Sequence, residues 1–149
     1  EVEAAIGLAQ LDRMDYIIKK RMQNFNYYIS KLKDNENISI LMNKKKNSIS
    51  SNYCFTIILK KRLSKLRDQI SDELKKSGIG TSIYYPGPVP LLKYYKKKYG
   101  LKFKSFPNAT TISKNSISFP TAPHVNKSDI DKIVLNINKV INLFKWKKE

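Results

Sequence analysis

Tyr53-Cys54-Phe55-Thr56-Ile57-Ile58-Leu59 is the stretch on which the fold turns. It is apolar on both alternating faces and rich in aromatic and β-branched side chains, so it reads as a central strand covered on both sides. Leu63, Leu66, Ile70 and Leu74 then follow at helical spacing, up to Ser77-Gly78. Glycine at that point is the usual left-handed stop of a helix. Gly80-Thr81-Ser82-Ile83-Tyr84-Tyr85 reads as a second strand, stopped by Pro86. Strand, helix and strand in this order give an α/β architecture, a small sheet covered by helices.

Upstream, Leu11, Met14, Ile18, Met22, Phe25, Ile29 and Leu32 recur in steps of three and four. With no proline to interrupt it, one helix over residues 1–34 is expected, about 50 Å long. Its first turns carry the small residues Ala4, Ala5, Gly7 and Ala9, which let another backbone approach closely. The segment starts in mid-pattern, without an initiator Met or a signal-like stretch. We therefore expect a start further upstream and a helix bridging two domains, with Ala5, Ile6 and Ala9 exposed. Residues 35–149 form the small C-terminal α/β domain of this reading.

Within it, Ile38-Ser39-Ile40 is a short strand, and residues 43–52 are a polar loop whose Lys44-Lys45-Lys46 run is a solvated tip. Pro86-Gly87-Pro88-Val89-Pro90 excludes regular structure, because three prolines remove three backbone donors. Residues 91–99 read as a short helix with Tyr94, Tyr95 and Tyr99 inward and lysines outward. Residues 107–113 are one helical turn, and 116–119 a strand ended by Pro120. The last helix opens with Ser128 and Asp131 as a capping-box pair and runs through Ile130, Ile133, Val134, Ile137, Ile141 and Phe144 to a basic tail.

The 149 residues are 41% hydrophobic, a globular composition with room for one core. No apolar run approaches the ~20 residues that span a bilayer. The lone Cys54 excludes an internal disulfide and fits a reducing, cytoplasmic compartment; beside Phe55 it reads as a buried structural thiol. The net charge of +17 invites a nucleic-acid reading, but only Arg13, Arg21, Arg62 and Arg67 are arginine among 29 basic residues. Arginine is the residue suited to bidentate phosphate and base recognition, lysine a hydrated point charge. The lysines are moreover spread over helices, loops and tail. A basic nucleic-acid-binding or interaction module remains the alternative, and a salt-dependent mobility shift would support it.

Self-sufficient chemistry is missing. Asp12, Asp15, Asp68, Asp72, Asp129 and Asp131 fall on polar helix faces, and one histidine with one cysteine makes no zinc set. No serine sits in a nucleophile elbow, and Gly78 and Gly80 make no phosphate loop.

Three blocks in order resemble the DegT/StrS-type sugar aminotransferases, pyridoxal-phosphate (PLP) enzymes of the aspartate-aminotransferase fold type. Glu3-Ala4-Ala5-Ile6-Gly7-Leu8-Ala9-Gln10-Leu11 is similar to their E/Q-A-A-x-G-x-x-Q-L helix start. Residues 78–90 are similar to G-I-x-T-x-x-x-Y-P-x-P-(L/V)-H. Phe106-Pro107-Asn108-Ala109, Ile112-Ser113 and Ile117-Ser118-Phe119-Pro120, with Pro123, resemble the F-P-x-A … (I/L)-S-L-P-x-x-P ending. The likeness covers nearly the whole chain.

The resemblance implies a small domain entered by a long helix from a large PLP-binding domain. It implies an enzyme, homodimeric and cytoplasmic, that moves an amino group from glutamate or glutamine to a nucleotide-linked keto-sugar. The cofactor lysine, the aspartate facing the pyridine nitrogen and the phosphate-binding serine or threonine belong to the large domain, so this chain alone is expected to be inactive. No nucleic acid or membrane partner is implied. The part expected of this chain is a substrate-binding pocket rim at Tyr85, Pro86, Pro88, Val89 and Pro90. Pro90 stands where many members have histidine, so the sugar specificity tied to that histidine does not carry over. His124, at the terminal P-x-x-P site, is expected to be a packing or surface residue. A related PLP enzyme acting on a non-sugar substrate stays open.

Overall fold

The computed structural model describes residues 1–42 and 47–146, apart from the side chain of Trp146. The Lys44-Lys45-Lys46 run and the basic tail after Trp146 lie outside the described residues. Nine α-helices and β-strands occur among the described residues: helices α1 (Val2–Leu11) and α2 (Met14–Leu32), strands β1 (Ile38–Ile40) and β2 (Cys54–Leu59), helices α3 (Arg67–Lys76), α4 (Lys93–Tyr99) and α5 (Pro107–Asn115), strand β3 (Ser116–Pro120) and helix α6 (Lys127–Trp146). The strands form one antiparallel sheet in the order β1-β2-β3, with Ile38 opposite Leu59 and Phe55 opposite Phe119. This is the small sheet under helices that the sequence implies.

β2 is central, and its two faces are closed unequally. Phe55, Ile57 and Leu59 are buried, while Cys54, Thr56 and Ile58 are half-buried. On that second face the cross-strand partners are Ser118 and Ser116, and the Thr56 and Ser118 hydroxyls lie 2.8 Å apart. Small hydroxyls there replace the second apolar layer expected from the sequence.

The more closed face carries the core. Tyr28 and Leu32 of α2, Ile70 and Leu74 of α3, and Ile130, Ile137 and Ile141 of α6 are all buried in it. Each such side chain contributes about 1.5–3 kcal/mol by leaving water. The Tyr28 ring stacks on Phe55 at 4.5 Å, and its hydroxyl donates to the Pro120 carbonyl. α3 ends as Gly78 suggests: Gly78 has φ +75°, its N–H bonds the Lys75 carbonyl, and the Ile79 N–H reaches Leu74. That is a Schellman stop with Ile79 packed into the core beside Leu74.

Four local expectations are corrected. The single helix over residues 1–34 is two, because at the joint the Arg13 N–H bonds the Gln10 carbonyl three residues back, with φ −101° and ψ 3°. No proline or glycine marks the joint, so the apolar spacing runs straight through it. Residues 80–85 form no strand; only Ser82 pairs, with Ser118. Extending that antiparallel register would set Gly80 against Pro120, which has no N–H to give. The capping box of α6 is Asn126 with Asp129, each side chain accepting the other's backbone N–H at 3.0 Å, two residues before the expected pair. Finally, Tyr94, Tyr95 and Tyr99 of α4 are exposed: Tyr95 stacks on Tyr99, Tyr94 stands edge-on to Tyr95, and Lys98 lies over Tyr94 and Tyr99. Seven residues are too few to present a buried apolar stripe.

Candidate functional site

The chain between α3 and α4 is held at its start. The Thr81 and Ser71 hydroxyls are 2.8 Å apart, and Ser82 exchanges two backbone hydrogen bonds with Ser118. Beyond Ser82 the segment leaves the sheet edge. The Tyr84 ring stands edge-on to Tyr53 at 5.7 Å. Pro86, Gly87 and Pro88 then lead into a single 3-10 turn, Val89–Leu91, closed by the Leu91 N–H on the Pro88 carbonyl at 2.8 Å.

The expected rim residues divide on this scaffold. Tyr85 (67% exposed), Pro86 and Val89 (49%) project to solvent, Pro90 is half-buried, and Pro88 is buried and anchors the turn. None of the five lines a cleft described here. Their neighbours do: Thr81, Ser82 and Tyr84 border a cleft of about 340 Å³ with Tyr53, Ser118 and Thr121. Sequence reasoning missed this floor. The one signal was Tyr53, an aromatic residue at the mouth of β2.

The cleft is neutral. No Asp, Glu, Lys, Arg or His lines it, and its polar atoms are hydroxyls, backbone groups and the Cys54 thiol. Cys54 is half-buried at the cleft wall, not fully enclosed as expected, with Sγ 3.5 Å from Thr56 Oγ1. Burial first, and then the Cys54 contact, push the Tyr53 phenol above its ordinary range, so it stays protonated and able to donate. Such a surface can hold hydroxyl-bearing ligands by hydrogen bonds and ring faces. Among its lining residues are no carboxylate, amine or imidazole.

Elsewhere charge sits at the surface. Lys31 and Asp131 pair at 2.9 Å, and that hydrogen bond holds the Asp131 carboxyl below the usual carboxylate range. His124 is exposed. Every described lysine is exposed as well, so the described residues enclose no amine and do not fit a PLP site. Among them no His, Cys, Asp or Glu group could hold a metal ion, and no helix is long and apolar enough to cross a membrane.

Comparison with known proteins accords with the fold. The DegT/DnrJ/EryC1/StrS aminotransferase family matches residues 1–138. UDP-4-amino-4,6-dideoxy-N-acetyl-beta-L-altrosamine transaminase of Campylobacter jejuni is 27% identical over 87% of this chain and 33% of its own length. dTDP-4-amino-4,6-dideoxy-D-glucose transaminase of Shigella dysenteriae is 27% identical over 94% of this chain and 37% of its own. The structure of Helicobacter pylori PseC, an aminotransferase of pseudoaminic acid biosynthesis, superposes with a TM-score of 0.86 at 23% identity, covering 96% of this chain and 38% of that one. The chain thus spans about a third of the length of these relatives.

Proposed function

The chain belongs to the DegT/DnrJ/EryC1/StrS aminotransferase family, and from that premise we propose that it is the small C-terminal part of a PLP-dependent sugar aminotransferase. The intact enzyme takes an amino group from glutamate or glutamine and gives it to a nucleotide-linked keto-sugar in cell-surface polysaccharide or deoxyamino-sugar biosynthesis. It is a cytoplasmic homodimer. PLP, bound by the large domain, supplies the chemistry of amino transfer. The α1–α2 segment bridges the two domains.

In this reading the chain's own residues shape and hold the sugar. The observation that carries it is the neutral, hydroxyl-lined cleft that Thr81, Ser82 and Tyr84 border just before the proline loop. A sugar presents hydroxyls and apolar ring faces, and Tyr53, Tyr84, Ser82 and Thr81 offer the complementary groups. The loop that follows holds Pro86, Pro88 and Pro90, whose fixed φ lowers the entropy lost when a ligand orders it. With no carboxylate, amine or imidazole in its lining, the cleft contributes binding in this reading.

The test separates binding from chemistry. In the intact enzyme Tyr84→Ala in the cleft wall, and Tyr85→Ala and Val89→Asp in the loop that follows it, should each raise the apparent Michaelis constant for the nucleotide sugar, a loss of about 1–3 kcal/mol of substrate binding. The half-reaction with amino donor alone should stay nearly unchanged. Equal damage to both half-reactions would indicate a folding defect, and an undamaged sugar half-reaction would place the loop away from the substrate.

A further inference from the structure

Between Glu73 and Asp129 the sequence contains no acidic residue, and apart from His124 every basic residue there is lysine. The middle of this interval folds into one surface. Lys96 and Lys114 lie over the Phe103 ring, 5.7 and 4.7 Å from its centroid, which ties α4 to the 3-10 turn Phe103–Ser105 and to α5. Lys98 lies over both Tyr94 and Tyr99, at 5.6 and 5.5 Å. These cations are held among rings, and none of the ion pairs among the described residues includes them.

The surface is apolar as well as basic. Leu92, Tyr95 and Tyr99 follow at steps of three and four, so they share one side of α4 and of the residue before it. Such spacing normally marks a buried stripe, yet all three are exposed. Val89 of the preceding turn and Phe103 of the following one are exposed too. The fold leaves open the side that the sequence makes apolar, and rims it with lysine.

We propose that this α4 surface docks on an anionic phospholipid membrane. Tyrosine has an apolar ring with a polar tip, and lysine an apolar stem with a charged head, so both settle at the depth of the headgroups. Val89, Leu92 and Phe103 add apolar area that a bilayer covers. Each lysine is drawn to an anionic leaflet, and the interval holds no carboxylate for that leaflet to repel. Single-stranded nucleic acid answers the same charge but fits the rings less well. Base stacking needs free ring faces, and at least one face of each of these rings is covered by a lysine or a neighbouring ring. Arginine, the better phosphate fork, is missing from the interval. Docking of this kind needs neither the neutral cleft nor amino transfer, so it stands apart from the sugar-binding reading.

Cosedimentation with vesicles at low, constant ionic strength tests this. The chain should bind vesicles of phosphatidylglycerol and phosphatidylcholine in equal parts, and not those of phosphatidylcholine alone. Lys96→Gln, Lys98→Gln and Lys114→Gln together should weaken binding about a hundredfold. Lys19→Gln, Lys132→Gln and Lys139→Gln remove the same charge from exposed positions of α2 and α6, and should weaken it far less. Tyr94→Ala with Tyr99→Ala keeps every charge and should weaken it about tenfold. None of these side chains belongs to the core, so the fold survives the substitutions. Ile6→Glu with Leu8→Lys, which leaves the net charge as it is, should change little and so separates α4 from the exposed α1. The proposal is overturned if the mixed vesicles do not bind, if the two lysine triplets weaken binding equally, or if the α1 pair abolishes it. Loss of oligouridylate binding by the α4 variants, with vesicle binding kept, would instead assign the surface to single-stranded RNA.

Discussion

Asn24 shows how one side chain can set the shape of a site it never touches chemically. It lies buried on α2, and its amide donates to the carbonyls of Thr121, Ala122 and Val125 at 3.2, 3.2 and 2.9 Å. The turn it grips supplies Thr121 to the neutral cleft. Asn24→Ala should destabilise the chain by about 1–3 kcal/mol, the cost of leaving buried carbonyls without donors. Asn24→Asp should be worse at neutral pH, since a carboxylate then faces carbonyl oxygens with no proton to offer. That excess should shrink as pH falls and the carboxyl regains a donor proton. Urea unfolding of both variants at neutral and acid pH checks the order; an Asp variant as stable as the parent at neutral pH would refute it. The contact was invisible in the sequence. Asn24 sits among apolar residues at helical spacing and looks like a polar-face residue, and its partners lie about a hundred positions away.

The elements were legible where their causes are local. Gly78 announces the end of α3 because only glycine takes φ +75° without strain, and the Schellman bonds follow within five residues. An added Cβ there would meet nothing within 4 Å, so Gly78→Ala tests backbone strain alone. It should cost about 1–2 kcal/mol, read as a lower urea midpoint with unchanged slope; a neutral substitution would show that the stop is held by Ile79 packing instead. Elements were misread where neighbours decide. The Asn126–Asp129 box outcompetes Ser128 and Asp131 because Asp131 is engaged across the surface by Lys31 and Tyr27. Tyr94, Tyr95 and Tyr99 were expected inward on composition, but α4 packs chiefly on the 3-10 turn before it and offers them no interior. On the Gly80 side of Ser82 the strand failed for want of a partner N–H at Pro120.

At the scale of the molecule, the family likeness was readable because its motifs sit at turns, prolines and small residues, where few side chains are allowed. The cleft was not, because Tyr53, Tyr84 and Ser118 meet only after the sheet forms. Charge and apolar surface are also segregated along the chain. Residues 1–12 contain no Lys or Arg and carry Glu1, Glu3 and Asp12, against a net charge of +17 overall. α1 buries none of its residues; Ala5, Ile6 (59% exposed) and Ala9 face solvent as the sequence led us to expect, and so does Leu8. An apolar helix on a strongly basic body sets two forces against each other. Burying α1 against a second surface favours association, while like charge opposes it. Salt screens the repulsion and leaves the apolar gain intact. The 149-residue chain should therefore self-associate more as ionic strength rises, the reverse of association through charge pairs. Ile6→Glu with Leu8→Lys should abolish this without unfolding the chain, because neither side chain enters the core. Sedimentation equilibrium across a salt series measures it. A chain that stays monomeric at high salt, or a double variant that still associates, would show that α1 is not the surface responsible.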